Sequence, residues 1–254
     1  GRCFQDLVSK TDTVLALGSQ ELDISNLQAV LAVAEEFRPD IIINAAAYTA
    51  VDKAESDAAR AGAVNCHGPE NLALAAKQVG ARLVHVSTDY VFDGSGSVPY
   101  LETDAVNPLG VYGQTKLAGE LLVQSVLPEA IIIRTAWVFS EYGNNFVKTM
   151  LRLAKDRPEL GVVADQVGCP TYAGDIAAAI IKLVAGNAPG GIYHYCGDRS
   201  VSWAEFAQAI FAEGENARVL TSQPKVNFVS AEQYPTPTKR PAYSVLSTAK
   251  IAAY

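Results

Sequence analysis

Several features that mark large classes of proteins are absent from this sequence of 254 residues. Its four cysteines, Cys3, Cys66, Cys169 and Cys196, form no CxxC pair, which favours reduced thiols in a cytoplasmic protein over a disulfide framework or a zinc site. Three histidines are present without HxH or HExxH spacing, so we interpret them as packing or surface residues. The sequence therefore predicts no metal site and a cytoplasmic location.

Positive charge and long apolar runs are also scarce. Lys and Arg number 20 against 27 Asp and Glu, giving a net charge of -7, which argues against a broad surface for nucleic acid. The longest apolar stretch, Ile41 to Val51, contains Asn44 and is shorter than the ~20 residues that a membrane span needs. The first residues do not resemble a signal peptide. We expect neither nucleic acid nor membrane as a partner.

Strands and helices are predicted to alternate along the first half of the chain. Ile41 to Ile43 is fully apolar, as in a strand buried on both faces of a parallel sheet. The remaining predicted strands and helices are strands at Thr13–Leu17, Leu83–Ser87, Ile131–Thr135 and Gly191–Tyr195, and helices at Arg2–Val8, Asn26–Phe37, Ala54–Asn65, Pro69–Val79, Leu117–Val126, Phe146–Lys155, Ala173–Val184 and Trp203–Phe211. This order predicts an α/β fold with a doubly wound parallel sheet.

The pattern loosens past residue 140. We predict a dinucleotide-binding domain over residues 1–140 and a smaller, mainly substrate-binding lobe over residues 141–254, interleaved with the sheet. The segment from Tyr234 to Pro241, rich in Pro and Thr, is predicted to be an ordered loop. Because the chain opens at Gly1 within a helical pattern, we expect a first strand to be missing.

Tyr112 and Lys116 are four residues apart at the start of a predicted helix, which places the phenol and the ammonium on one face. A nearby cation should lower the pKa of the phenol from ~10, so the pair could exchange a proton with a carbinol oxygen. Alone, this spacing is more typical of a solvated helix face.

Polar side chains follow the predicted strand that ends at Ser87. Thr88, Asp89 and Tyr90 lie where ligands bind in open parallel sheets, beyond the carboxyl ends of the strands. The Thr88 hydroxyl could hydrogen-bond a substrate oxygen beside Tyr112. The alternative is that Thr88 and Asp89 only cap the following turn.

Two further strand ends carry candidate ligand contacts. The run from Asn44 to Thr49 is rich in small residues, which let flat rings approach the backbone, although tight helix packing would explain it as well. Trp137 follows the strand ending at Thr135 and could line a sugar or base site, or belong to the core.

Long runs in a fixed order resemble the dTDP-4-dehydrorhamnose reductase family of extended short-chain dehydrogenases/reductases. The likeness covers nearly the whole chain. The segments that carry it are residues 44–55, Ser87–Gly94, Pro108–Glu120, Arg134–Val138, Gly143–Phe146, Asp165–Thr171 and Tyr234–Pro241.

The resemblance implies a Rossmann-like fold and reduction of dTDP-4-dehydrorhamnose to dTDP-L-rhamnose with NADPH or NADH. It implies that Tyr112 donates the proton, that Lys116 binds the nicotinamide ribose and tunes Tyr112, and that Thr88 assists. Asp89, Tyr90 and Trp137 would contact the sugar nucleotide. The residues implied to line the cofactor, besides Tyr112 and Lys116, are Gly1, Asp23, Ile24, Ala47, Tyr48, Thr49 and Val86.

The sequence departs from the family pattern at its start. Of the GxxGxxG turn that holds the cofactor pyrophosphate, only the last glycine, Gly1, is present. Where strict NAD enzymes carry an acid, this chain has Gly18, Ser19 and Gln20, so NADPH should be tolerated. A homodimer and a Mg²⁺ ion, found in some relatives, stay open, and no Mg²⁺ ligand can be assigned.

Two other functions are compatible with the same fold. Sugar-nucleotide dehydratases need a carboxylate where this chain has Tyr90, and a phenol does not replace it near neutral pH. An epimerase or another nucleotide-sugar reductase would share the Tyr and Lys pair. A non-catalytic regulatory subunit would not need Thr88, Tyr112 and Lys116, all of which are present.

Overall fold

The computed structural model describes residues 1–254 and is built from nine α-helices and ten strands. The helices are α1 (Arg2–Leu7), α2 (Leu27–Phe37), α3 (Val51–Ala54), α4 (Ala58–Gly62), α5 (Gly68–Val79), α6 (Val111–Val126), α7 (Phe146–Ala154), α8 (Ala173–Ala185) and α9 (Trp203–Asn216). The strands are β1 (Ile41–Asn44), β2 (Arg82–Thr88), β3 (Ile131–Thr135), β4 (Val138–Phe139), β5 (Glu159–Val163), β6 (Val167–Gly168), β7 (Thr171–Tyr172), β8 (Gly191–His194), β9 (Val201–Ser202) and β10 (Lys225–Val229).

The main sheet has four strands in the order β1-β2-β3-β8, and every pairing is parallel. Its register places Thr88 opposite Thr135, and Arg134 opposite His194. Because the strands are parallel, their carboxyl ends lie along one edge of the sheet. The β8 strand belongs to the second half of the chain, so the two halves interleave in one sheet.

Helices cover both faces of this sheet. On one face, Leu83 and Ile132 pack with apolar residues of α2, α5 and α6. On the other, Val84 and Ile133 pack with α8, and α1 lies beside α8. Ile131–Ile133 are fully buried, which fits a continuous apolar run in a strand covered on both faces. The predicted doubly wound parallel α/β fold is confirmed.

Helix ends follow local sequence signals. The Asn26 side chain accepts a hydrogen bond from the Ala29 backbone N–H and begins α2, which ends at Arg38 just before Pro39. Gly80, with φ of 75°, ends α5 in the left-handed region that glycine adopts without strain. Ser202 and Glu205 form a capping box at the start of α9.

Two predictions from periodicity are wrong. Thr13–Leu17 is extended but forms no strand, because it pairs with no neighbour, and Val14, Leu15 and Leu17 are exposed. The predicted helix Ala54–Asn65 is interrupted: α3 and α4 are separate short helices, and a π-helix over Ala63–His67 leads into α5. A strand is defined by its hydrogen bonds to a neighbouring strand, so the β propensity of Thr13–Leu17 could not by itself establish a strand there.

A second layer follows β3. β5 and β10 form a parallel pair, and Leu160 and Val162 pack against α7 and α9 through Met150 and Phe211. The 234–241 tail forms no helix or strand, as predicted. No helix is both long and apolar enough to cross a membrane.

Candidate active site

The carboxyl ends of the four main strands bring polar residues to one edge of the sheet. Asn44, Thr88, Thr135 and His194 end these strands, and each is at most 6% exposed. Burial of so many polar side chains is costly unless they are hydrogen-bonded or functional. This edge is therefore where the predicted site residues have to be placed.

Helix α6 carries Tyr112 to this edge. A Cβ atom on Gly113 would lie 2.3 Å from the Tyr90 carbonyl oxygen, so only glycine allows the first turn to approach the Asp89–Val91 turn this closely. The rings of Tyr112 and Tyr90 meet edge to face, with centroids 5.4 Å apart. The structure thus brings Thr88, Tyr90 and Tyr112 together, as the sequence predicted.

The predicted effect of Lys116 on the Tyr112 pKa is wrong in this structure. Burial raises the pKa of Tyr112 well above its usual value, the negative charge of Asp89 raises it further, and a hydrogen bond with Thr88 opposes part of the rise. Lys116 does not contribute. The phenol is consequently held protonated at neutral pH and is ready to donate a proton.

Lys116 instead points down onto strand β2. Its Nζ donates to the Val86 carbonyl oxygen over 2.7 Å and lies 3.4 Å from His85 Nε2. Burial lowers the pKa of Lys116 to about 8, although the Glu120 carboxylate opposes this. We had interpreted the histidines as packing or surface residues, so the contact between His85 and Lys116 was missed.

One turn further along α6, Glu120 forms a buried ion pair with Arg134 of β3. Arg134 Nη2 donates to Glu120 Oε2 over 2.7 Å, and Nε donates to the same carboxylate. The two side chains are only 1% and 3% exposed. The pair ties α6 to the sheet beneath Tyr112.

Asp89 lies buried behind the Thr88 hydroxyl, which donates to its Oδ1 over 3.1 Å. Burial raises the pKa of Asp89 to about 6, and hydrogen bonds from Ser244 and Thr88 oppose the rise. Its other carboxylate oxygen has no protein partner. Thr88 also accepts a hydrogen bond from the Tyr90 N–H, so the capping alternative holds alongside a role at the site.

The small-residue run after β1 is held close to α6 by Asn65. Its side chain accepts from the Tyr48 N–H over 2.8 Å and donates to the Tyr48 carbonyl and to the Thr115 hydroxyl. A Cβ on Gly119 would lie 2.1 Å from the Asn65 carbonyl oxygen, so α6 needs glycine there. Ala47 and Tyr48 are half-buried and Thr49 is exposed.

The other predicted cofactor residues lie apart from this group. Gly1 precedes α1 and hydrogen-bonds only within that helix, and Asp23 accepts only from Ser25 and Asn26. The Ile24 carbonyl accepts from Asn71 of α5.

A carboxylate approaches the turn of Gly18, Ser19 and Gln20, which has no acidic residue of its own. The Gly18 N–H donates to Glu21 Oε2 over 2.8 Å, so Glu21 folds back onto the turn that Gly18, Ser19 and Gln20 form. The turn itself therefore has no carboxylate, as expected, but the Glu21 side chain places one beside it.

Trp137 is stacked on Trp203, which the sequence analysis missed. The ring centroids are 3.4 Å apart and the planes differ by 7°. Trp137 has a φ of 46°, which is strained for a non-glycine residue. Trp137 is half-buried, so it is neither fully enclosed in the core nor fully accessible for a ligand to stack on.

The tail supplies another residue that we had not predicted, Arg240. It donates to the Tyr90 hydroxyl over 3.0 Å and to the Asp52 carboxylate over 2.8 Å. Thr238 joins the same region by donating to the Val51 carbonyl. The signals in the sequence were the two cations Lys239 and Arg240 in a Pro- and Thr-rich segment, and the family resemblance of Tyr234–Pro241.

Other surfaces offer less chemistry. A cavity of about 620 Å³ is lined by residues 154–158 and 219–224, and none of the predicted site residues lines it. No three His, Cys, Asp or Glu side chains come together in a way that could hold a metal ion. All four cysteines are free thiols.

The chain is similar to known proteins over nearly its whole length. Residues 1–254 match the family described as "RmlD substrate binding domain". A dTDP-4-dehydrorhamnose reductase from Aggregatibacter actinomycetemcomitans is 52% identical over 243 residues, which cover 94% of this chain and 83% of the relative.

Two solved structures share the fold over almost the whole chain. A dTDP-4-dehydrorhamnose reductase from Clostridium acetobutylicum is 44% identical with a TM-score of 0.92, covering 98% of this chain and 86% of that one. The enzyme from Bacillus anthracis, solved in complex with NADP, is 39% identical with a TM-score of 0.94, covering 100% of this chain and 88% of that one.

Proposed function

The chain belongs to the dTDP-4-dehydrorhamnose reductase family, and from that premise we propose how its residues reduce dTDP-4-dehydrorhamnose to dTDP-L-rhamnose. The reaction adds a hydride to the keto carbon and a proton to the keto oxygen, so the carbonyl becomes a secondary alcohol. One observation carries the assignment: the half-buried phenol of Tyr112 packs edge to face with Tyr90 at the carboxyl end of β2, beside Thr88.

In this scheme Tyr112 protonates the substrate oxygen. A donor must hold its proton at working pH and release it only as negative charge develops on the oxygen. The raised pKa of Tyr112 meets the first condition. Thr88, at the end of β2, is proposed to orient the phenol and to contact the same oxygen.

A nicotinamide cofactor supplies the hydride when bound, and the residues at the sheet edge fit one. Ala45 and Ala46 are small and exposed after β1, so a flat ring can reach the backbone there. Lys116, held on the Val86 carbonyl, keeps a further N–H for a ribose hydroxyl. Tyr48, Thr49, Ile24, Asp23 and Gly1 are proposed to line the remaining length of the cofactor.

Cofactor preference is proposed to be NADPH, with NADH also accepted. The NADP complex of the Bacillus anthracis relative supports this choice. Glu21 opposes it, because a carboxylate at the Gly18 turn would repel a ribose 2′-phosphate. We therefore expect Glu21→Gln to raise the ratio of kcat/KM for NADPH over NADH by about twofold to fivefold, on the scale of one exposed charge contact.

The sugar nucleotide is proposed to lie across the second layer of the molecule. Asp89 and Tyr90 face it from the end of β2, and Trp137 faces it from beyond β3, supported by Trp203. This assigns residues 1–140 mainly to the cofactor and residues 141–254 mainly to the substrate. A homodimer and a cytoplasmic location are proposed as well.

The decisive experiment mixes the protein with dTDP-4-dehydrorhamnose and follows nicotinamide absorbance with NADPH and, separately, NADH. We expect consumption that depends on the sugar nucleotide, and formation of dTDP-L-rhamnose. A regulatory subunit would consume neither cofactor, and an epimerase would convert its substrate without net cofactor consumption. Either result would overturn the proposal.

A further inference from the structure

We propose that Asn44 and His85 are positioning residues for Lys116: Asn44 fixes the His85 proton on Nε2, and that N–H faces the Lys116 nitrogen. The inference deepens the proposed function, on which it rests for its link to turnover. Three buried side chains support it: Asn44, His85 and Lys116 are 3%, 0% and 1% exposed.

The orientation of the Asn44 amide is set by the backbone. Its Oδ1 accepts a hydrogen bond from the Ala46 N–H over 3.0 Å, so its NH₂ group is the end that faces His85. Asn44 Nδ2 lies 3.0 Å from His85 Nδ1. Since the amide nitrogen can only donate, His85 Nδ1 must accept, and the neutral imidazole carries its proton on Nε2.

This tautomer decides what Lys116 can do. His85 Nε2 is 3.4 Å from Lys116 Nζ, and the same Nζ donates to the Val86 carbonyl over 2.7 Å. A neutral amine satisfies both contacts, because its lone pair accepts from Nε2–H while an N–H donates to the carbonyl. An ammonium would place two donors face to face. The arrangement therefore lowers the proton affinity of Lys116.

The charged groups around Lys116 do not cancel this effect. Glu120, from the same helix, favours the ammonium, but its carboxylate is shared with Arg134 of β3. From β2 the only titratable neighbour is His85, which burial and Lys116 keep uncharged. At the end of β1, Asn44 contacts His85 and does not titrate.

The other buried histidine provides an internal control with the opposite tautomer. His194 Nδ1 lies 3.1 Å from the Tyr100 carbonyl oxygen, which can only accept. His194 must therefore carry its proton on Nδ1. The two strands thus hold two fully buried imidazoles whose proton positions are fixed in opposite senses by an amide and by a carbonyl.

Nitrogen NMR tests the proposal without substrate or cofactor. Long-range ¹H–¹⁵N correlation distinguishes imidazole tautomers, and the chain has only three histidines to assign. We expect the Nε2–H pattern for His85 and the Nδ1–H pattern for His194. A His85 signal with the proton on Nδ1, or on both nitrogens, at pH 7 overturns the proposal whatever the enzyme's activity.

The substitution Asn44→Asp should reverse the tautomer of His85. A carboxylate can accept from both the Ala46 N–H and His85 Nδ1–H, so His85 should change to the Nδ1–H tautomer while His194 stays unchanged. Lys116 would then donate to His85 Nε2, and its titration midpoint, followed through ¹³Cε-labelled lysine, should rise by about one pH unit. The variant Lys116→Met lacks the Lys116 resonance and so identifies it in the spectrum.

Each outcome decides a separate part of the proposal. A changed tautomer with an unchanged Lys116 midpoint would show that His85 does not tune the amine. If Asn44→Asp fails to fold, the wild-type spectrum still decides the tautomer, and Asn44→Ala, which removes the amide donor, should give His85 a mixture of tautomers. If both NMR results hold while turnover is absent, the proposed function fails and the hydrogen-bond assignment stands.

Discussion

Two regions of the same helix face the same sheet but differ in kind. At the start of α6, Tyr112 meets Tyr90 beside Thr88 at the open edge of the sheet, where the two tyrosines are only partly covered. Deeper along α6, Lys116 and Glu120 are buried against His85 and Arg134. The first region, the rim, holds groups that can react, and the second, the base, holds the rim in place.

This contrast indicates that activity and stability are separable along one helix. A hydroxyl at the rim can be removed without leaving a buried charge unpaired. A charged group at the base cannot be removed in this way, because its partner would remain in a low-dielectric environment. The following four substitutions break or sharpen the contrast, in order of expected effect.

Replacing Tyr112 with Phe should abolish most turnover. The ring still packs against Tyr90, but the proton donor is gone, so kcat should fall by about 10²- to 10⁴-fold. Unfolding by urea should change by less than about 1 kcal/mol, since the substitution leaves no buried charge. Tyr172→Phe, which removes a hydroxyl bonded only to Glu141, is the matched control and should keep its activity. Retention of a tenth of the activity by Tyr112→Phe would contradict the assigned role.

The substitution Glu120→Gln should have the opposite effect, because it should mainly reduce stability. It leaves the buried Arg134 without its counter-ion, and breaking such a pair costs about 3–5 kcal/mol of unfolding free energy. The control is Asp52→Asn at the pair with Arg240, whose side chains are 39% and 24% exposed. That change should cost less than about 1 kcal/mol. Equal costs at the two pairs in urea titrations would show that α6 is not anchored as described.

The pH dependence of stability tests the rim at Asp89. Its folded pKa of about 6 exceeds the model-peptide value of 3.8, so the folded protein binds the proton more tightly. Stability therefore rises as the pH falls from about 6 to 4, and at neutral pH the ionised Asp89 destabilises the fold. Asp89→Asn should raise the free energy of unfolding by roughly 1–3 kcal/mol at pH 7.5, with the gain vanishing near pH 4.

Asp93, four residues later, is the control with the opposite sign. Hydrogen bonds from Ser95 and Asn107 lower its pKa to about 2, so its contribution is present above pH 4 and is lost as the pH falls through the folded value. Asp93→Asn should therefore destabilise the protein at pH 7.5. Thermal unfolding of both variants between pH 4 and 8 measures the two signs together, and a shared sign would contradict the assigned pKa shifts.

The smallest effect is expected at Thr88. Thr88→Val keeps the shape but removes the hydroxyl that donates to Asp89 and accepts from the Tyr90 N–H. Loss of one neutral hydrogen bond corresponds to about 1 kcal/mol, or roughly a fivefold fall in kcat. Thr88→Ser, which restores the hydroxyl, should recover most of it. Failure of Ser to rescue activity would mean that Thr88 acts through its methyl group.

Much of the fold was predictable because its signals are local. Ile131–Thr135 is the strand that the apolar run predicted, and Asn26 and Arg38 bound α2 close to the predicted ends. The Tyr112 and Lys116 spacing placed both residues on α6, and polar residues after β2 indicated the correct edge of the sheet. Thr13–Leu17 failed because pairing with a neighbouring strand is not encoded in a single segment.

The sequence by itself determined the four strands of the main sheet, the helix that carries the phenol, and the family. Only the tertiary structure decided the state of the groups at the site. The pKa of Tyr112 rises instead of falling because desolvation outweighs a cation that points elsewhere. The partner of His85 lies 41 residues away in the chain, and Arg240 reaches Tyr90 across 150 residues. Charge and proton position depend on burial and on such distant partners, and no local pattern of residues specifies either.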